Sequence, residues 1–271
     1  MELSYLKTLV EPRWAVDGKL LSTEFSLGRL MELHAADQAE HVRRLTLPEP
    51  AEGTPLAPIE PMMEVWAAGV TYLRSRQARE AESATGDIYQ RIYVADRPEL
   101  FFKAPGWRVV GPGEAIHVRR DSRWNVPEPE LTLLFNCYGE LCGYTAGNDV
   151  SSRDIEGENP LYLPQAKVYN GSCALGPCIR LVEGPTTLRD LPIHLAIVRE
   201  GNPGFQGETS TRLMKRTYED LAAYLFRELS FPQGAFLMTG TGIVPPETFS
   251  LQAGDVVRIE VGTLVLENGT R

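Results

Sequence analysis

The sequence predicts a mixed α+β protein, mainly β, with a small N-terminal α+β domain (1–60) ahead of a larger β-rich domain (61–271). Three observations carry that expectation. The stretch PEPAEGTPLAPIEP at 48–61 holds five prolines. Proline removes backbone donors and fixes φ, so this is a linker or an extended crossing rather than a core element. Beyond it, short apolar runs recur between glycine and proline turns, while helical periodicity is confined to a few segments.

Taken in order, the chain begins with a short strand-rich start. Leu27, Leu30, Met31 and Leu33 then sit near helical spacing and predict a helix over about 26–43. MEVWAAGVTY (63–72) predicts a strand running into a glycine turn. The polar segment 74–99 is helix-compatible apart from Gly86; within it, 77–97 is either a mobile lid or a solvated surface helix. Strands are expected at LFFKA, AIHVR, ELTLLF, GYTAGNDV, IHLAIVRE and DVVRIEV. Leu213, Tyr218, Leu221, Leu225 and Leu229 fall largely on one face of a helix predicted over 210–229.

Composition limits the function classes. The 36 acidic and 27 basic side chains leave a formal charge of −9, the wrong sign for a nucleic-acid partner, which needs a basic face. No run approaches the roughly 18 apolar residues of a membrane helix. The N-terminus MELSYLKTLVEPRW lacks the basic-then-apolar order of a signal peptide, so a cytoplasmic protein is expected. Cys137 with Cys142 and Cys173 with Cys178 have gaps that suit zinc poorly, and small buried thiols are expected.

The most informative segment is 125–150. Glu128 and Glu130 are two apart, which puts both on one face of a strand, and each follows a proline. If Tyr138-Gly139 is the two-residue turn of a hairpin, Glu128 falls opposite Asp149. Three clustered carboxylates repel unless a cation neutralises them or their pKa values rise. An all-oxygen set suits Mg²⁺, Mn²⁺ or Ca²⁺. The alternative is a solvated acidic rim at a hairpin end, and spacing alone leaves both open.

These residues resemble the fumarylacetoacetate hydrolase family. The resemblance rests on VWAAGVTY (65–72), FFKA (101–104), EPELTLLF (128–135), GYTAGNDVSSRD (143–154), QAKVYNGSCALGP (165–177) and TGTGIVP (239–245). It extends most closely to the 2-keto-3-deoxy-D-arabinonate dehydratase branch through RPELFFKA (97–104), GEAIHVRRDSRW (113–124) and ENPLYLPQAKVY (158–169). It implies a β-rich catalytic domain of that family, a magnesium site at Glu128, Glu130 and Asp149, and an active-site lysine at Lys167. It further implies a substrate-side glutamate at Glu99 and a site-lining threonine at Thr241. A homodimer or homotetramer is also implied.

One departure bears on chemistry. The carbon–carbon hydrolases of the family carry a lid histidine and glutamate after a Gly-x-Asn-Tyr motif. Here Gly69-Val-Thr-Tyr72 is followed by Leu-Arg-Ser-Arg, with no histidine nearby. The resemblance therefore implies dehydration of a 2-keto-3-deoxy sugar acid, with Lys167 as the base that removes a C3 proton and Glu99 as acid for the leaving hydroxyl. Lys167 would have to be deprotonated for that role, as burial beside a cation favours. Tyr89, Arg91 and Tyr93 either close over the substrate or pack the lid, and Arg153, Asp154 and Arg180 are expected to hold the site by ion pairs. Two alternatives stand beside this: decarboxylation, tautomerisation or hydrolysis of another 2-oxo acid with the same metal, and a metal-stabilised sugar-binding module without turnover.

Overall fold

The computed structural model describes residues 1–82, 87–182 and 188–271. Its centre is an 11-stranded sheet. The middle of that sheet is antiparallel: Cys173–Leu181, Leu141–Asp149 and Pro129–Phe135 lie side by side, followed by Ala235–Met238. Glu64–Gly69 joins Ala235–Met238 in parallel, and Glu99–Pro105 closes that edge. A four-stranded antiparallel sheet, in the order Asn202–Ser210, Pro192–Arg199, Val256–Val261, Leu264–Gly269, packs against it.

Strand alternation explains the packing. Pro129–Phe135 is buried along its whole length, as a strand covered on both faces must be. Leu131, Leu133 and Phe135 enter the core shared with Ile193, Leu195 and Ile197 of the smaller sheet. Leu134 enters the opposite core, beside Leu3, Leu21, Leu30, Val65 and Phe236. Glu128 and Glu130 have the parity of Leu134, so they sit at the end of that second face.

The N-terminal strands continue this same sheet. Glu2–Lys7 pairs with Cys173–Leu181 through Leu3 and Ile179, and Pro12–Val16, Lys19–Leu21 and Thr46–Pro50 follow outward. The proline-rich stretch supplies Thr46–Pro50 as the outermost strand and Thr54–Pro55 as a short partner of Glu2–Lys7. Proline is tolerated at an edge because no neighbour needs its missing donor.

Several expected elements differ. The helix over 26–43 is two helices, Leu27–Leu30 and Ala35–Leu45, separated by His34 in an extended conformation. The helix over 210–229 is a 3-10 turn at Thr211–Leu213 and, separately, the α-helix Tyr218–Leu225. Thr217 ends the preceding extended chain by accepting from Asp220 N at 3.1 Å, an N-cap that starts the helix late. Leu213 and Leu229 are exposed outside it. AIHVR forms only a bridge, Ile116 with Thr270. Segment 77–97 contains the end of helix Leu73–Glu82 and all of Asp87–Val94; residues 83–86 lie outside the described residues.

No helix among the described residues is long and apolar enough to cross a membrane. All four cysteines are free thiols. Three are buried, and burial pushes Cys142 and Cys178 up to about 11 and Cys173 up to about 12. Cys137 is half-buried at the hairpin turn.

Candidate active site

The hairpin that carries the carboxylates is built differently from the simple turn, yet reaches the expected register. Asn136 N donates to Glu140 O, leaving a three-residue loop in which Gly139 takes φ 76. That shifts the pairing by one, so Leu141 faces Phe135. A bulge before Gly143 restores it, and Gly147 then faces Glu130. Asp149 N donates to Glu128 O at 3.0 Å, which brings Glu128 and Asp149 together at the hairpin's open end.

Glu128, Glu130 and Asp149 each offer an oxygen, and these oxygens lie within 4.8 Å of one another. All three residues are buried, with 4%, 1% and 1% of their surface exposed. The solvated-rim alternative is therefore excluded: these carboxylates have lost their water. The consequence falls on Glu130, whose carboxyl is held well above the usual range by burial and by the neighbouring Asp149 and Glu128 charges.

Three buried cations answer the three carboxylates. Lys167, the last residue of helix Leu163–Lys167, places Nζ 2.9 Å from both Glu128 Oε2 and Asp149 Oδ2 and 2.6 Å from Ser151 Oγ. Lys103 Nζ lies 2.5 Å from Asp149 Oδ1 and donates to Val150 O and Lys167 O. Arg153 Nη2 lies 3.0 Å from Glu128 Oε1. Gly240 N donates to Glu130 Oε2 at 2.6 Å.

This donor set fits a hard divalent cation. It is all oxygen, and each carboxylate oxygen has two lone pairs, so one hydrogen bond leaves capacity for a cation. Lys103, Arg153 and Gly240 hold the carboxylates in place, as the partners of metal ligands do. With a dication added, the inner cluster becomes net positive and suited to an anionic ligand.

The family described as fumarylacetoacetate (FAA) hydrolase, C-terminal, matches residues 64–269. The chain belongs to this family. It is 51% identical over 204 residues to a probable 2-keto-3-deoxyxylonate dehydratase of Haloferax volcanii, covering 74% of this chain and 70% of that protein. It is 45% identical over 215 residues to the 2-dehydro-3-deoxy-D-arabinonate dehydratase of Saccharolobus solfataricus, covering 77% and 72%. A solved structure of 2-keto-3-deoxy-D-arabinonate dehydratase complexed with magnesium and 2,5-dioxopentanoate superposes with a TM-score of 0.85 at 34% identity, over 100% of this chain and 99% of that one.

Within this site, one cleft is lined by Glu99, Glu128, Asp149, Lys167, Thr241 and Tyr89, together with Ser75, Phe101 and Glu156. Glu130 completes the carboxylate group beneath it. Glu99 opens the edge strand opposite Gly69, where a Cβ would come within 2.2 Å of Glu99 Oε2; glycine there makes room for the carboxylate. Thr241 is buried and its hydroxyl bonds locally with Ile243. Tyr89 is 5% exposed on helix Asp87–Val94, whereas Arg91 of the same helix is exposed and does not line the cleft. Asp154 instead holds Ser122 and the Arg123 amide, and Arg180 ties Glu2 and Thr263 to the sheet.

Lys103 and Gly240 were not anticipated. The signal for Lys103 is a charge two residues after Phe101 in an otherwise apolar run; the strand bulges at that residue, between the pairs Trp66–Phe102 and Val65–Ala104. The signal for Gly240 is the paired glycine of Thr-Gly-Thr-Gly, but its task, donating to a carboxylate from a strand far along the chain, is visible only in three dimensions.

Proposed function

We propose that the protein is a hydro-lyase that dehydrates a 2-keto-3-deoxy sugar acid, with 2-keto-3-deoxypentonate converted to 2,5-dioxopentanoate in sugar catabolism. The observation that carries this reading is the buried carboxylate triad with Lys167 in contact, in a chain so similar to two dehydratases. Glu128, Glu130 and Asp149 would hold Mg²⁺; Mn²⁺ and Ca²⁺ suit the same oxygen donors. A bound dication supplies Lewis acidity to the carboxylate and keto oxygens of the substrate.

The chain's own residues supply the proton transfers. Lys167 acts as the base that takes the C3 proton, leaving an enolate across C2 and C3, whose electron pair then forms the C3–C4 double bond as the C4–O bond breaks. Glu99 gives its proton to the departing C4 hydroxyl, which leaves as water. The C3–C4 enone so formed still carries the C5 alcohol; loss of a C5 proton with protonation of C3 gives the C4–C5 enol, and protonation of C4 with loss of the hydroxyl proton gives the aldehyde. Tyr89 and Thr241, on the cleft wall, bind and orient the acid's hydroxylated end. Arg91 would contribute to substrate binding only if its side chain turned inward from the exposed face of the helix.

Incubation with Mg²⁺ and 2-keto-3-deoxypentonates, with detection of 2,5-dioxopentanoate, tests the reading. Product formation supports it. Turnover of oxaloacetate or an acylpyruvate in its place, or binding without product, overturns it. The same reading expects a cytoplasmic homodimer or homotetramer with a small-molecule substrate. Light scattering after size exclusion checks assembly, and a fully active monomer would refute that part.

A further inference from the structure

Helix Asp87–Val94 ends in carbonyls that have no partner within the helix. Arg216 meets them. Its Nη2 donates to Ala95 O at 2.5 Å and to Ile92 O at 3.3 Å, and Nη1 donates to Asp96 O at 2.8 Å. The neighbouring Lys215 donates to Tyr93 O, and its Nζ lies 4.6 Å from the Tyr93 ring centroid. Arg76 covers the same ring at 5.3 Å. Tyr93 is one helical turn beyond Tyr89, so both project from one face. Fixing the end of this helix therefore fixes Tyr89 on the cleft wall.

The mount is rigid. Arg216 immediately precedes the Thr217 cap, and Tyr218 anchors the following helix through its hydroxyl to Leu188 O at 2.8 Å. The same short segment also holds the start of the helical pair: Met214 bridges to Tyr72, and Lys215 N donates to Thr71 O at 2.9 Å. Thr71 Oγ1 donates to Thr239 O at 2.6 Å, next to the Gly240 amide that holds Glu130. The three residues Met214–Arg216 thus hold both the chain just before helix Leu73–Glu82 and the end of helix Asp87–Val94.

We propose that Arg216 is a positioning residue for substrate binding, acting through Tyr89 by capping the C-terminus of Asp87–Val94. A guanidinium reaches three carbonyls with a planar fork of donors, which a lysine ammonium cannot reproduce in one geometry. The inference rests on the proposed dehydration for its kinetic readout, and on the fold alone for its dynamic one.

The test compares wild type, Arg216→Lys, Arg216→Gln, Tyr89→Ala and the double variant R216Q/Y89A. With Mg²⁺ and 2-keto-3-deoxypentonate, R216Q is expected to raise KM about tenfold while kcat changes less than about threefold, with R216K in between. In the Y89A background R216Q should add less than about twofold, because the two act as a unit. A KM unchanged by R216Q, or full additivity with Y89A, overturns the proposal even if R216Q melts earlier. Amide hydrogen exchange provides the second measurement. Exchange across Asp87–Val94 should quicken at least about tenfold in R216Q, with Pro129–Phe135 and Mn²⁺ affinity unchanged. Unchanged exchange overturns the proposal whatever the turnover. If wild type forms no product but exchange quickens as expected, the dehydratase reading fails and the positioning of the helix by Arg216 stands.

Discussion

Gly240 donates its backbone N–H to Glu130 Oε2 at 2.6 Å, so a glycine loop following one strand orients a carboxylate from its neighbour. The loop can do this only as glycine. Gly240 has φ +92, and a Cβ would come within 2.1 Å of Thr71 Oγ1 and 3.0 Å of Ala68 O. Gly240→Ala is expected to swing the amide away and weaken divalent-metal affinity by about 10–100-fold, as loss of a ligand's outer partner does. Isothermal titration with Mn²⁺ checks this; wild-type affinity would show that Glu130 needs no such support.

Glu130 also sets a pH dependence. Its pKa is raised in the folded protein, so between the ordinary carboxylate value and that raised value the fold holds a proton that the unfolded chain has released. This contribution to stability is therefore greatest at low pH and is lost as pH rises through that window. In chelator-treated protein, Glu130→Gln should raise Tm at neutral pH, by about 2–4 °C per kcal/mol recovered, and the gain should shrink toward pH values below the ordinary carboxylate range. A constant gain across pH would contradict the raised pKa. Metal binding should release the same proton, seen as a binding heat that depends on the buffer's ionisation enthalpy.

Lys103 is 0% exposed and spans Asp149, Val150 and Lys167. Lys103→Met removes one partner of a buried charge pair and leaves Asp149 under-compensated, which costs about 3–5 kcal/mol. Urea unfolding of the metal-free protein should show it as a lower midpoint at unchanged slope. A loss below about 1 kcal/mol would mean that Lys167 alone suffices to neutralise Asp149.

The proposed division of labour separates two proton transfers. Lys167→Gln should abolish exchange of the substrate C3 hydrogen with D₂O, along with dehydration. Glu99→Gln should keep C3 exchange while slowing dehydration by about 10²–10⁴-fold. NMR of the substrate follows both. C3 exchange surviving in the Lys167 variant would remove it as the base.

Residues 1–60 also invite a direct test. Leu3, Leu21, Leu27, Leu30 and Met31 are all 0% exposed, in one core with Val65, Leu134, Ile179 and Phe236. At about 1.5–3 kcal/mol for each large apolar side chain, their removal costs as much as the whole margin of about 5–15 kcal/mol. A chain starting at residue 61 should be insoluble or molten by circular dichroism. A cooperatively folded fragment would establish 61–271 as an independent domain.

The sequence by itself determined the mainly β class, most strand positions and the meeting of Glu128 with Asp149. These follow from local rules: period-two alternation, glycine and proline punctuation, and the pairing arithmetic of one hairpin. Even there the agreement came through two offsetting departures, a longer turn at Cys137–Gly139 and a bulge before Gly143. Helix ends were less legible, because the cap at Thr217 and the break at His34 compete with a hydrophobic period that runs through both. Tertiary structure alone decided the electrostatics. Lys103 and Gly240 reach the carboxylates from strands and loops distant in sequence, and the desolvation that raises Glu130 depends on every layer packed over it. Spacing along a chain can place charges near one another, but only burial fixes what those charges cost and which cations must answer them.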